Sequence, residues 1–447
     1  MVCGPSGRPP GGFCCCLRCS ASAFRFLWPS EFLWPSEFPL VNSSSHGAPL
    51  SGVRVVEISS FVAVPLAGMT LAQLGADVVR IDPIGGAADY HRWPLTAEGN
   101  SIYWAGLNRG KRSMAVDMRS DAGQRLVQRL IADAGTLITN ASGRQWHSHP
   151  TLVADRSDLI HLEVVGRGDG STGVDYTVNA ATGFPMITGP RAHRGPINHV
   201  LPAWDVSCGL YAALSVLTAL RRRDATGEGS RIRLALDDVA LATAANLGFL
   251  TEVMVNGVQR PRIGNAVFGQ YGHDFTSSDG AAFMVVALTG RHFDDLTELT
   301  GTTKAVAAVA EALDADFTDE GQRYRHREVL TALFGSWFRS HTAAEVAAAL
   351  SASSVLWERY QSFAEVAAGP RVTANPMFAR LDQPRIGNLL APGLPMSVDG
   401  AHARAGAAPV LGQHSAEVLA DWLGLDDAEI AAMVESGALV ESDSVAT

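Results

Sequence analysis

Past residue 19 the chain carries a single cysteine, Cys208. The other five, Cys3, Cys14, Cys15, Cys16 and Cys19, crowd the N-terminus. A body with one thiol forms no internal disulfide, which fits a reducing cytoplasmic setting. The terminal cluster lacks the paired CxxC spacing of a zinc site. Positive charge is also scarce: 35 Lys and Arg against 45 Asp and Glu leave a formal net charge of −10. That excludes a general attraction to nucleic acid or to anionic membranes, but not a local basic pocket for a small anion. Long apolar runs are missing as well. The nearest, residues 61–79, is interrupted by Pro65, Gly68, Gln73, Gly75 and Asp77, so no membrane span is expected.

The first 49 residues show no helical or strand period. FLWPSE at 26–31 is repeated directly at 32–37, and no continuous apolar stretch of a signal peptide is present. This segment reads as a disordered extension, or as an upstream stretch included through a wrong start codon.

From Gly52 onward the pattern is regular. Apolar, β-branched runs at 53–58 (VRVVEI), 77–82 (DVVRID), 113–118 (SMAVDM), 135–140 (GTLITN), 159–166 (LIHLEVVG) and 231–236 (RIRLAL) read as strands. Helical stretches separate them, at 65–74, after a Ser120 cap, and from about 205 to 223. Strands alternating with helices predict βαβ units and a mainly parallel, Rossmann-like sheet. Ligands of such sheets bind at the carboxyl ends of the strands. Residues 59–65, 82–86, 119, 140–144 and 167–175 fall there. A second long helix is expected from an Asp237 cap to about Val255, then a linker at 256–272 and a smaller α+β region. Four segments result: 1–49 as extension, 50–255 as large domain, 256–380 as linker and small domain, and 381–447 as a C-terminal segment returning to the large domain.

Motif tests remove several chemistries. Gly168, Gly170 and Gly173 match GxGxxG but follow the fifth strand and run into polar sequence, so they read as a loop. AGLNRGKRS has Ala105 and Arg112 where a phosphate loop needs Gly and Ser or Thr. His147 and His149 sit in HSHP without a partner carboxylate, which reads as an exposed loop rather than a metal site. Asp205, in LPAWD ahead of the long apolar helix, has two readings. As an N-cap it would bond first-turn amides. As a poorly solvated carboxylate kept ionised by the helix dipole, it could act as a nucleophile.

Six ordered stretches choose between them: GVRVVEISSFVAVPLAGMTLAQLGADVVRIDP, LNRGKRSMAVDMRSDAGQ, GTLITN, LPAWD, LTALRRRDATGEGSRIRLALDDV and LGQHSAEVLADWLGL. Together, from about Gly52 to Val440, they resemble the family III CoA-transferases. Further stretches, among them DYHRWP, VDYTVN, NHVLPAWD and EVMVNGVQRPRIGN, resemble the members that move CoA between the two carboxylates of one unsaturated dicarboxylic acid. The resemblance implies Asp205 as nucleophile and Asp175 as a second active-site position. It also implies Val62 and Ala63 at the CoA nucleotide, with Arg119 and Asn140 nearby. Arg80 or Arg144 are further candidates for the CoA phosphates. No cofactor is implied beyond CoA as part of the acyl-CoA substrate, and the chain is expected to form an interlocked homodimer. Other outcomes the family allows are CoA transfer between two acids, an α-methylacyl-CoA racemase, or an inactive CoA-binding paralogue. In the racemases a His base precedes the second active-site Asp, whereas Val174 stands here. The loop 263–272, IGNAVFGQYG, has fewer consecutive glycines than the run that covers the active site in other members.

Overall fold

The computed structural model describes residues 48–141 and 143–440, so the extension read at 1–49 lies outside the described residues up to Gly47. Six parallel strands form the centre: β1 (Arg54–Ile58), β2 (Asp77–Asp82), β3 (Arg112–Val116), β4 (Thr136–Thr139), β5 (Ile160–Val165) and β6 (Ser230–Ala235). Their order is β3-β2-β1-β4-β5-β6, with register Glu57 opposite Arg80 and Ile58 opposite Thr139. The chain reverses its winding between β1 and β4. In a doubly wound sheet this is the switch point, where the loops leaving two neighbouring strands diverge and open a crevice.

The connecting helices are α1 (Ala63–Gln73), α2 (Ile102–Leu107), α3 (Asp121–Ala134), α4 (His149–Leu152), α5 (Asp175–Ala181), α6 (Phe184–Ile187) and α7 (Ala203–Thr226). Alternate strand residues face opposite layers. Val55, Val78 and Ile138 join α1 and α7 in one core, while Val56, Val79 and Leu137 join α3 in the other. α3 has a clear sequence logic: Ser120 Oγ accepts from Gly123 N at 3.1 Å, Gly135 ends the helix at φ 65°, and Leu126, Val127, Leu130 and Ile131 form its buried stripe. With both faces covered, a charged residue inside a strand must find its partner there.

By length and composition α7 could cross a bilayer. Here its stripe of Cys208, Ala212, Ala213, Val216 and Ala219 is part of the large core and packs along α1. Gly209 permits that approach: a Cβ there would lie 2.6 Å from the Ala63 carbonyl oxygen. The second long helix expected from Asp237 to Val255 is broken. It forms α8 (Leu236–Asn246) and α9 (Phe249–Asn256), bent by 57°, with Gly248 at φ 80° between them. Nor does Asp237 cap it: Asp237 lies inside α8 and accepts from Gly168 N at 3.2 Å. Leu210, Tyr211 and Leu214 on α7, Leu247 after α8, and Val253, Met254 and Val255 on α9 are exposed.

A second core belongs to the antiparallel strands β7 (Tyr271–Thr276), β8 (Ala282–Ala287) and β9 (Leu356–Arg359). Around them lie α10 (Gly290–Leu299), α11 (Thr303–Ala312), α12 (Glu320–Arg325), α13 (Arg327–Ser340) and α14 (Ala343–Ser351). Beyond α15 (Phe363–Ala368) and α16 (Pro370–Thr373) come the hairpins β10 (Phe378–Gln383)–β11 (Gly387–Pro392) and β12 (Ser397–Val398)–β13 (Ala401–His402). Two last helices, α17 (Ser415–Leu423) and α18 (Asp427–Glu435), return to the large sheet, where β14 (Leu439–Val440) pairs antiparallel with β3.

Candidate active site at the mouth of α7

The β1–α1 loop is built on charge. Glu57, Arg80, Asp82, Asp89 and Lys111 are all buried beneath it. Arg80 donates to Asp82 at 2.9 Å, to Asp89 at 3.0 Å, to Asn108 at 3.1 Å and to the Ser59 carbonyl at 3.2 Å. The Lys111 ammonium donates to Glu57 at 2.9 Å and to the Pro65 carbonyl at 2.8 Å. Both ends of the segment 59–65 are therefore pinned from below. Asn140, at the end of β4, pins its middle: it accepts from Ser60 N at 3.1 Å and donates to Ser60 O at 2.8 Å. The switch point is bridged by that side chain. Arg80 is thus a core cation with every direction occupied, and its candidacy for a CoA phosphate fails.

Val62 and Ala63 open α1 and are buried. The Ala63 carbonyl faces Gly209 on α7, one turn past Asp205. Pro202 is the N-cap of α7, so Asp205 lies inside the first turn rather than at the cap. The capping carboxylate belongs to Asp175, whose Oδ2 accepts from Trp204 N at 2.8 Å and from Asp205 N at 3.2 Å. The N-cap reading of Asp205 is overturned by this geometry. Trp204 is further held by its indole N–H on Asn179 at 3.1 Å and by Phe184, with ring centroids 5.4 Å apart.

The Asp205 carboxylate is free for chemistry. Among the described residues no hydrogen bond or ion pair engages it, although its backbone is fixed. Burial pushes its titration up to about 6, the Asp175 charge adds to the rise, and Arg92 opposes it. The neighbouring Cys208 thiol is pushed up to about 12 by burial and by Asp205, so it stays protonated and is no rival nucleophile. Since a carboxylate attacks only when ionised, kcat/KM should rise tenfold per pH unit below about 6 and level off above it. Asp175→Asn keeps an oxygen for the cap and removes the charge, so the same profile should move to lower pH. A pH series of initial rates on both proteins checks this; unshifted curves would mean that Asp205 is not the titrating group.

Arg119 stands apart. It follows β3 on the carboxyl side, its side chain is 89% exposed, and among the described residues its partner is Asp117. The Gly168–Gly173 stretch is a loop between β5 and α5, folded so tightly that a Cβ on Gly166 would lie 2.3 Å from Gly173 N. His147 is buried rather than exposed, and His149 lies beside His161 with ring centroids 5.7 Å apart. No group of three His, Cys, Asp or Glu is placed to hold a metal ion among the described residues. In the loop 263–272, Gly264 N donates to Gly189 O at 3.1 Å, and the preceding Arg262 donates to the carbonyls of Thr188 and Gly195.

Three residues near Asp205 are absent from the sequence-based candidates, although Phe61 and Arg92 lie within stretches that carry the family resemblance. Tyr103 on α2 is pushed up to about 12 by burial, with Arg92, Asp205, Asp89 and Tyr176 in its field. Arg92 lies over the rings of Phe61 and Tyr103. Phe61 follows β1, and Arg92 and Tyr103 follow β2, so the carboxyl ends of two neighbouring strands bring them together.

Comparison with known proteins agrees with this architecture. The sequence profile described as CoA-transferase family III matches residues 50–415. The 2-methylfumaryl-CoA isomerase of Chloroflexus aurantiacus is 46% identical over 405 residues, 89% of this chain and 99% of that protein. The succinyl-CoA–D-citramalate CoA-transferase of the same organism is 26% identical over 407 residues, 86% of this chain and 96% of that one. The crystal structure of a CAIB/BAIF family protein from Brucella suis superposes with a TM-score of 0.70 at 27% identity, covering 84% of this chain and 99% of that one. The chain belongs to CoA-transferase family III and is an enzyme of that class.

Proposed function

We propose that this enzyme moves CoA from one carboxylate to the other of a single unsaturated dicarboxylic acid, with 2-methylfumaryl-CoA as substrate. The observation that carries the reading is the Asp205 carboxylate: partly desolvated, unpartnered, and presented from a first helical turn whose amides are held by another residue. The identity to a 2-methylfumaryl-CoA isomerase supports the choice of acid.

Asp205 attacks the thioester carbonyl, forming a mixed anhydride and releasing CoA thiolate. The thiolate attacks the aspartyl carbonyl of the anhydride, giving an aspartyl-CoA thioester and the free dicarboxylate. The second carboxylate of that diacid then attacks the aspartyl thioester, forming a new anhydride and expelling the thiolate. Return of the thiolate to the acyl carbonyl yields the isomeric thioester and restores Asp205. Two exchanges between an acyl carbon and a sulfur replace one that a distant carboxylate does not reach. Retaining the diacid makes the second half intramolecular, worth up to roughly 7–11 kcal/mol in ideal cases. Every atom comes from the substrate or from Asp205, so CoA serves as part of the substrate and no further cofactor enters.

Val174, immediately before Asp175, offers no proton acceptor for racemase chemistry. The exposed apolar side chains of α7–α9 support a homodimer in which a second chain covers them. A reducing cytoplasm fits the single buried thiol of the body. The test is to supply one purified 2-methylfumaryl-CoA regioisomer and no acceptor acid. The other regioisomer should accumulate to equilibrium. A reaction that starts only when a second organic acid is added would replace this reading with intermolecular transfer. Deuterium entering the α-position would replace it with racemisation.

A further inference from the structure

Arg54, Arg80, Arg112, Arg156 and Arg260 each have an acid within ion-pair distance. Arg92 does not. Among the described residues its guanidinium makes no ion pair and no hydrogen bond. Asp89, three residues earlier, is engaged by Arg80. Yet Arg92 is held in place. Its backbone N–H donates to Asp89 O at 3.1 Å, and its carbonyl accepts from Ser101 Oγ at 2.6 Å. Two rings from different elements flank the guanidinium, Phe61 at 5.4 Å and Tyr103 at 5.1 Å to the centroids. Phe61 adopts a left-handed φ of 66°, which is uncommon for a bulky residue. It directly precedes Val62 and Ala63, and the Ala63 carbonyl packs on Gly209, one turn from Asp205. A cation whose donors meet no acid among the described residues therefore lies within electrostatic reach of Asp205.

The reaction creates a need for such a cation. Whichever end of the diacid carries CoA, the other end is a carboxylate brought near Asp205, with Asp175 buried just behind. Three negative groups gather in a partly desolvated place. A guanidinium offers paired N–H donors that match a carboxylate bidentately, and ring faces keep its plane fixed.

We propose that Arg92 is the carboxylate clamp of this site: it selects a dicarboxylic acyl-CoA and holds the diacid while CoA changes ends. This rests on Asp205 being the carrier of CoA. During the first half-reaction Arg92 binds the distal carboxylate. Between the halves the diacid turns over, so Arg92 releases one carboxylate and takes the other. An exposed guanidinium without a fixed acid partner suits that exchange better than a buried pair.

The experiment compares two esters on wild type, Arg92→Gln and Arg92→Lys: 2-methylfumaryl-CoA and tiglyl-CoA, in which a methyl group replaces the distal carboxylate. CoA trapped on Asp205 is measured by hydroxylamine and mass spectrometry, isomerisation by chromatography, and folding by thermal melts. Wild type should acylate from the dicarboxylic ester roughly 100-fold more efficiently than from tiglyl-CoA. Arg92→Gln should lose most of that preference, through a raised KM for the dicarboxylic ester and little change with tiglyl-CoA. Arg92→Lys should recover part of it, and it carries the comparison if the Gln variant does not fold. Equal losses on both esters, or no loss on either, would overturn the clamp. A wild-type protein with no trappable CoA on Asp205 would instead overturn the carrier reading itself.

Discussion

Alanine at position 205 should abolish turnover, by a factor on the order of 10⁴ or more, because a covalent intermediate without its carboxylate has no substitute at that site. The hydroxylamine-sensitive enzyme-bound CoA should vanish with it. Stability should behave in the opposite sense. The Asp205 carboxylate has no partner, and its burial beside the Asp175 charge already works against its ionised form. Removing it should leave the melting temperature unchanged or raise it, as at many strained active sites. Asp175→Ala makes the contrast. It takes the acceptor away from Trp204 N and Asp205 N, and the lost cap should cost about 0.5–2 kcal/mol. Urea unfolding of the two variants beside wild type separates carrier from cap. A destabilised Asp205→Ala that still isomerises its substrate would reverse the assignment.

Much of the large domain was legible in the sequence because its signals are local. Runs such as DVVRID and SMAVDM have a strand composition, and Ser120 and Gly135 punctuate α3 as sequence rules require. The break at Gly248 was not, because apolar residues continue on both sides and one glycine inside a helical pattern is often tolerated. The cap of α7 lies at Pro202, three residues ahead of the expected Asp205, and that shift took Asp205 from the cap to the first turn. The cap itself came from Asp175, thirty residues earlier, which no periodicity reports. Arg80 was misjudged for a different reason. Alternation within a strand usually marks a solvated face, but this sheet is covered on both sides. A charged residue in a fully covered strand is a cue for a buried partner, and Glu57, Arg80 and Asp82 carry it, with Lys111 one residue ahead of β3. Phe61 follows β1 while Arg92 and Tyr103 share the connection from β2 to β3, and only the folded sheet brings the two connections together.

Arg80 carries the largest stability effect outside the chemistry. Arg80→Met keeps most of the volume but leaves Asp82, Asp89 and Glu57 buried with Lys111 as the remaining cation. Removing one member of a buried ion-pair cluster costs about 3–5 kcal/mol, a large part of the 5–15 kcal/mol that holds a typical domain together. Lysine should not restore it, because one ammonium does not reach Asp82, Asp89, Asn108 and the Ser59 carbonyl together. The sign with pH follows from Asp82. Burial already raises its folded-state titration above the ordinary carboxylate value, and Arg80 opposes that rise. Without Arg80 the folded-state value goes higher still. A raised carboxylate favours the fold below its unfolded value and loses that contribution as pH climbs through the folded one. The gap between Arg80→Met and wild type should therefore widen from pH 5 to pH 8 in urea unfolding, and adding Asp82→Asn should narrow it. Because Arg80 also holds the Ser59 carbonyl, whatever variant folds at low pH should still bind CoA esters poorly, through a β1–α1 loop released at its first residue. A stable variant with wild-type KM would show that Asn140 alone suffices to shape the entrance to α1.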